Sequence, residues 1–168
     1  CSADLGVRTS TNETNTFNDW LHVVFKDDSE NWVDITFKIT TDPGLYWLEN
    51  PSRVEGTAIL VPNQYRGSHK IGLHKGQYTA LTQVQKVKVY RDNNRNDVLD
   101  MNPDTIQEGY FGINIHRASA TRESTQGDKW SAGCQVFADP NEYDAFISLC
   151  QRAAEKWGDT FTYTLLED

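Results

Sequence analysis

The sequence predicts a mainly β, single-domain protein with one helix in its C-terminal half. Three observations predict it. Short apolar runs alternating with period two recur along the chain, and turns rich in Gly, Pro and Asn separate them. One stretch alone, at about 139–157, places apolar residues on a single helical face. The chain has 168 residues, the size of one core, and its nineteen aromatics are spread over the whole length and need somewhere to pack.

Residues 1–17 are polar and rich in Ser, Thr and Asn, and read as a flexible leader before a domain over 18–168. The run WLHVVF (20–25), an acidic KDDSEN loop and the alternating WVDITFKIT (32–40) read as a hairpin. Pro43-Gly44 and Asn50-Pro51 mark turns around Tyr46-Trp47-Leu48. TAILV (57–61) reads as a compact buried strand ended by Pro62. Glycines 67, 72 and 76 argue for short strands and tight turns through QYRGSHKIGLHKGQYTALTQ, with His69 and His74 as polar loop residues. VQKVKVY (84–90) and YFGINIH (110–116) read as strands on either side of a very polar loop, and QVF (135–137) as another. Asp139 caps the helix, Pro140 occupies its first turn and Gly158 ends it. TFTYTLL (160–166) alternates as a final strand.

Sixteen basic and 24 acidic residues make a net charge of −8. No dense Lys/Arg run interrupts that negative field, which argues against nucleic acid as a partner. No apolar run is long enough for a transmembrane segment. The acidity suits a cation or a basic partner, and it also suits ordinary solubility.

The three cysteines are Cys1, Cys134 and Cys150, an odd number without metal-ligand spacing. Cys150 falls on the apolar face of the helix and reads as a small core hydrophobe. Cys1 admits two readings: the edge of a cut, or the lipid-anchored first residue of a mature bacterial lipoprotein, with the polar leader as its tether.

Cys134 lies in KWSAGCQVF, directly after a glycine. Glycine lets the backbone approach a ligand closely and lets N–H groups converge on one spot, as an oxyanion hole requires. His116 ends a strand upstream, and a Cys/His pair is the minimum for thiol acyl transfer, because imidazole can accept the thiol proton. Ser131 is counted with Cys134, His116 and Gly133 in the catalytic set, where it reads as a hydroxyl holding the loop rather than as a proton carrier. Trp130 can line a groove or pack in the core.

GINIH followed by SAGC resembles the signature of the L,D-transpeptidase catalytic domain family, in which a strand ends in a histidine, a variable loop follows, and Ser/Thr-His-Gly-Cys comes next. The order of WLHVVF, WVDITFKITTDPG and GTAILVP is similar too, so the likeness covers roughly 19–137 in organisation. It is residue-specific at 111–116 and 131–134. The resemblance implies a sandwich-like β fold and no cofactor. It implies that Cys134 attacks an L,D-configured amide of a peptidoglycan stem peptide, with His116 as base and N–H groups near Gly133 and Cys134 holding the oxyanion. An amine or water then resolves the acyl-enzyme. An extracytoplasmic, monomeric protein is implied as well.

Three positions depart from the family pattern: Arg117 stands for the usual Gly, Ala132 for His, and Val136 for Arg or Asn. His74 and Arg117 are the compensating candidates for substrate binding, since guanidinium pairs well with carboxylates. The departures also fit a non-catalytic relative that only binds cell wall. A third reading is a structural surface domain, because Asp92, Asn94, Asn96 and Asp100 place oxygens at alternate positions as a calcium loop does. Asp97 and Pro103 break that loop's pattern, so a solvated hairpin loop is the favoured reading there.

Overall fold

The computed structural model describes residues 3–8 and 13–167. In chain order the strands are β1 (Ala3–Arg8), β2 (Asp19–Lys26), β3 (Trp32–Thr40), β4 (Thr57–Leu60), β5 (Asn63–His74), β6 (Tyr78–Gln83), β7 (Val87–Asp92), β8 (Gln107–Gly109), β9 (Ile115–Arg117), β10 (Gln135–Phe137) and β11 (Thr160–Glu167). A short helix α1 (Leu45–Glu49) follows β3, and the long helix α2 (Pro140–Trp157) follows β10. Two sheets and one long helix make the mainly β, sandwich-like domain. The larger sheet closes on itself in the order β1-β11-β5-β6-β9-β10-β3-β2, and the smaller is β4-β7-β8. Closure leaves the larger sheet without a free edge.

The β2–β3 hairpin forms as expected, with Trp20 opposite Lys38 and Lys26 opposite Trp32. Its acidic turn is built by Asp27, whose Oδ1 accepts the N–H groups of Ser29 and Asn31 at 2.8 and 2.9 Å. Only the second half of β3 is buried, at Phe37, Ile39 and Thr40.

The stretch expected as a polar leader contains β1, which pairs parallel with β11 and antiparallel with β2. Its sequence ADLGVR does alternate, a signal that the polar residues around it obscured. Cys1 and its anchor reading lie outside the described residues. The expectation of short pieces at 63–83 is corrected: β5 runs twelve residues and pairs with both β6 and β11. Gly67, at φ +56°, lies next to the register shift at Phe161/Tyr163, so a bulge absorbs the break. A Cβ on Gly72 would come 2.6 Å from Thr82 Oγ1 across the strand pair.

Helix α2 starts on Asp139, whose side chain accepts the Asn141 N–H at 2.8 Å, and it ends at Gly158 with φ +89°. It lays Tyr143, Phe146, Ile147 and Cys150 on the core, where Phe146 meets Phe137 at 4.9 Å between ring centroids. Each such side chain contributes about 1.5–3 kcal/mol through removal from water. Cys150 is thus the core residue the sequence indicated. Among the described residues no helix is long and apolar enough to cross a membrane.

Candidate active site

Strands β9 and β10 are parallel neighbours, with Val136 opposite His116. Parallel strands need a crossover of a dozen or more residues, and the 118–134 connection supplies it. The spacing between His116 and Cys134 is therefore a consequence of the sheet. Side chains alternate along each strand: Ile115 and Phe137 enter the main core, whereas Ala118, Val136 and Ala138 form a second apolar cluster against which Cys134 packs. By the same alternation His116 shares the face of Cys134.

His116 is 3 % exposed. Its Nδ1–H donates to the Arg117 carbonyl at 2.8 Å. The Tyr78 hydroxyl lies 3.2 Å from that nitrogen and donates to the same carbonyl at 3.1 Å. The carbonyl can only accept, so the proton sits on Nδ1 and Nε2 is bare. Nε2 is buried and has no hydrogen-bond partner among the described residues. Burial, then the neighbouring His74 ring, depress the imidazole to about 3.

Cys134 is partly exposed. Its Sγ–H donates to the Gly112 carbonyl at 3.3 Å, and no hydrogen bond joins it to His116. Burial pushes the thiol up, opposed by the Asn114 backbone N–H and the Lys75 charge. The turn before it is tightly specified. Ser131 Oγ donates to the Cys134 carbonyl at 2.8 Å and accepts the Gly133 N–H at 3.2 Å, the loop-holding role expected for it. Gly133 has φ +110°, and a Cβ there would lie 2.2 Å from the Ala58 carbonyl oxygen. The Gly133 N–H is thus engaged, whereas among the described residues the Cys134 N–H donates to nothing.

His74 and His69, expected in a loop, both lie buried in β5. His69 Nε2–H donates to the Ile113 carbonyl at 2.9 Å and its Nδ1 lies 2.8 Å from Ser68 Oγ; burial depresses it to about 4. It supports the 109–114 segment through the Ile113 carbonyl. His74 Nδ1 accepts from Asn114 Nδ2 at 3.2 Å, which leaves the proton on Nε2. Burial and Lys75 both lower it.

His74, Tyr78, His116, Arg117 and Trp130 line one cleft of about 470 Å³. Arg117 stacks over the Tyr78 ring at 4.0 Å. Trp130 is an exposed wall residue rather than core. The loop carrying it is fastened at Gly127 N–H to the Asn15 carbonyl (3.0 Å), at the Lys129 carbonyl by Trp47 Nε1–H (3.1 Å) and at the Ser131 carbonyl by Gly44 N–H (2.8 Å). Of the departing positions, Ala132 is exposed and Val136 is fully buried core. A second groove, between α2 and β2, is lined mainly by Phe25, Leu149, Ala153, Trp157 and their neighbours and holds no histidine.

The sequence reading missed Tyr78, Asn114 and Gln83. Asn114 carried a signal, since it alternates with His116 in GINIH. Tyr78 and Gln83 belong to a different hairpin, and nothing local marked them.

In the Asp92–Asp100 loop the side-chain oxygens accept backbone N–H groups: Asp92 Oδ1 from Asn94, Asn94 Oδ1 from Asn96, Asn96 Oδ1 from Val98 and Asp92 Oδ2 from Asp100. The first three are successive Asx turns, and the fourth closes the loop across eight residues. Among the described residues no three His, Cys, Asp or Glu side chains are grouped to hold a metal ion.

In comparisons with protein-family models, curated proteins and solved structures, nothing matches the chain.

Proposed function

We propose that the protein is a cysteine-dependent acyl-transfer enzyme of the L,D-transpeptidase type, acting outside the cytoplasmic membrane on L,D-amide bonds of peptidoglycan stem peptides. One observation carries the reading. His116 is anchored through Nδ1 and keeps a bare, buried, unpartnered Nε2 at a cleft, on the sheet face of a cysteine held in a glycine turn. A buried nitrogen without a partner is costly and calls for an explanation, and a catalytic role is one that fits its place here. The GINIH and SAGC motifs name the chemistry.

In this reading Cys134 Sγ bonds to the amide carbonyl carbon while His116 Nε2 takes the thiol proton. The Cys134 N–H, free in the resting protein, donates to the developing oxyanion. The C–N bond then breaks, His116 returns the proton to the leaving amine, and a thioester remains. An incoming amine or water attacks that thioester with His116 again accepting a proton, and the Cys134 thiol is released. The resting thiol, now on the Gly112 carbonyl, must turn to His116 when substrate binds.

A second reading, a wall-binding protein without turnover, is favoured by one feature: Cys134 and His116 share no hydrogen bond. Mass spectrometry of purified muropeptides incubated with the protein decides between them. The enzyme removes a terminal residue or makes or breaks a cross-link, and Cys134→Ala abolishes this. Unchanged muropeptides, or full activity in Cys134→Ala, overturn the proposal.

A further inference from the structure

The cleft carries a charge opposite to that of the chain. Lys75, Arg117, Arg122 and Lys129 line it against one carboxylate, Asp128, in a protein of net charge −8. Among the described residues none of these four cations forms a salt bridge. Two are held in place by aromatic faces instead, Arg117 at 4.0 Å over Tyr78 and Lys129 at 4.4 Å over Tyr46. A cation–π contact orders a long side chain without neutralising its charge. The main chain beneath them is fastened as well, since the Arg117 carbonyl accepts from His116 and Tyr78 and the Lys129 carbonyl from Trp47. Four unneutralised like charges repel one another, and a groove lined by one sign of charge concentrates ligands of the other. His116, 3 % exposed, lines the same groove.

We propose that the cleft binds its acyl donor through carboxylates, so that the protein selects peptides whose side-chain and α-carboxyls are free over the same peptides carrying carboxamides. This rests on the acyl-transfer reading above and names the substrate class within it. Arg117 is placed beside His116 to take one carboxylate in a paired contact, a geometry suited to guanidinium. Lys75, Arg122 and Lys129, all exposed, draw in the remaining charge and dock it. The selection is a binding effect and leaves the bond-making step to Cys134 and His116.

The test uses a stem tetrapeptide in carboxylate and carboxamide forms. Titrated calorimetrically into the Cys134→Ala protein, the carboxylate form should bind about tenfold tighter, the scale of a charge-assisted contact. High salt should shrink that advantage. Arg122→Gln combined with Lys129→Gln should reduce it several-fold. Equal affinities for the two forms overturn the selection. Acylation of wild-type Cys134, read by intact mass, tests the reading beneath it. Adducts that form at equal rates with both peptides overturn the selection and leave the thiol chemistry standing. Selective binding without any adduct overturns the thiol chemistry and leaves the selection standing.

Discussion

The imidazole of His74 lies on that of His116, with ring centroids 4.0 Å apart and planes inclined by 25°. Two rings so close cannot both carry charge, and burial already opposes protonation of either. His116 therefore stays neutral down to about pH 3, while burial holds the Cys134 thiol above its ordinary range. The resting pair is a thiol and a neutral imidazole, so in the proposed acyl transfer His116 would act as a general base rather than as half of a preformed ion pair. Alkylation of Cys134 by iodoacetamide should be slow at neutral pH and rise about tenfold per pH unit toward the thiol's elevated pKa. A rate independent of pH across the neutral range would reveal a thiolate–imidazolium pair. His74→Phe keeps a flat ring on His116 and removes a neighbour that lowers its pKa, so the acid limb of kcat/KM should move to higher pH.

Gln83 organises the segment that carries the thiol's hydrogen-bond acceptor. Its Oε1 accepts the N–H groups of Phe111 and Ile113, both at 3.0 Å, and its Nε2 donates to the carbonyls of Gln85 and Gly109 at 2.8 and 2.9 Å. Gly112, whose carbonyl takes the Cys134 thiol, lies between the two held amides. Gln83→Leu leaves those amides without an acceptor at roughly 2–4 kcal/mol in total. Hydrogen exchange at Phe111 and Ile113 should accelerate and the melting temperature should fall. Gln83→Glu retains the acceptor and should restore protection at both amides. Unaltered exchange in Gln83→Leu would remove Gln83 from this role.

The elements legible in the sequence are those whose signal is local. β2, the second half of β3 and α2 bury apolar residues at the periods of their own backbones, and those periods are readable without knowing any partner. Strand β5 was not legible, because Gly67 and Gly72 look like breaks until β11 and β6 are in place on either side. The expected strand at 110–116 shortens to β9 because Gly112 takes φ +73° and the Gln83 side chain occupies the amides a strand partner would bond. His116 and Cys134 were found through a motif whose length reflects a parallel crossover. The groups that complete the cleft come from β6, from the turn after β5 and from the far end of the 118–134 loop. Only the closed sheet brings them together.

Gly133 and Gly67 both adopt positive φ, but they should respond differently to a methyl group. At Gly67 an added Cβ meets nothing within 4 Å, so Gly67→Ala costs only the left-handed strain, about 1–2 kcal/mol. At Gly133 the Cβ would lie 2.2 Å from the Ala58 carbonyl oxygen, in β4, which is hydrogen-bonded to β7 in the smaller sheet. Backbone cannot give way there without moving the sheet, so Gly133→Ala should cost at least about 3 kcal/mol. Chemical denaturation of the two variants side by side measures the difference. Equal losses would mean that the approach to Ala58 is not what demands glycine.

Acid should unfold the protein through its buried histidines. His69 and His116 are 0 % and 3 % exposed and are depressed to about 4 and about 3 from an ordinary 6.5. Between those values and 6.5 the unfolded chain binds protons that the folded one refuses. A group depressed on folding contributes stability that is fully present above its unfolded pKa and is lost as pH falls. Each histidine should therefore remove about 1.4 kcal/mol per pH unit below 6.5, until its folded pKa is reached. Denaturant titrations from neutral pH down to about pH 5 lie above most carboxylate titrations and isolate this contribution. His69 and His116 together should contribute a slope approaching about two protons taken up on unfolding, to which His74, also lowered by burial, adds. His69→Gln removes one of these groups and should lower the slope by about one proton, even though the substitution itself lowers stability at neutral pH. A slope unchanged in that variant would show that His69 is not held neutral by its burial between Ser68 and the Ile113 carbonyl.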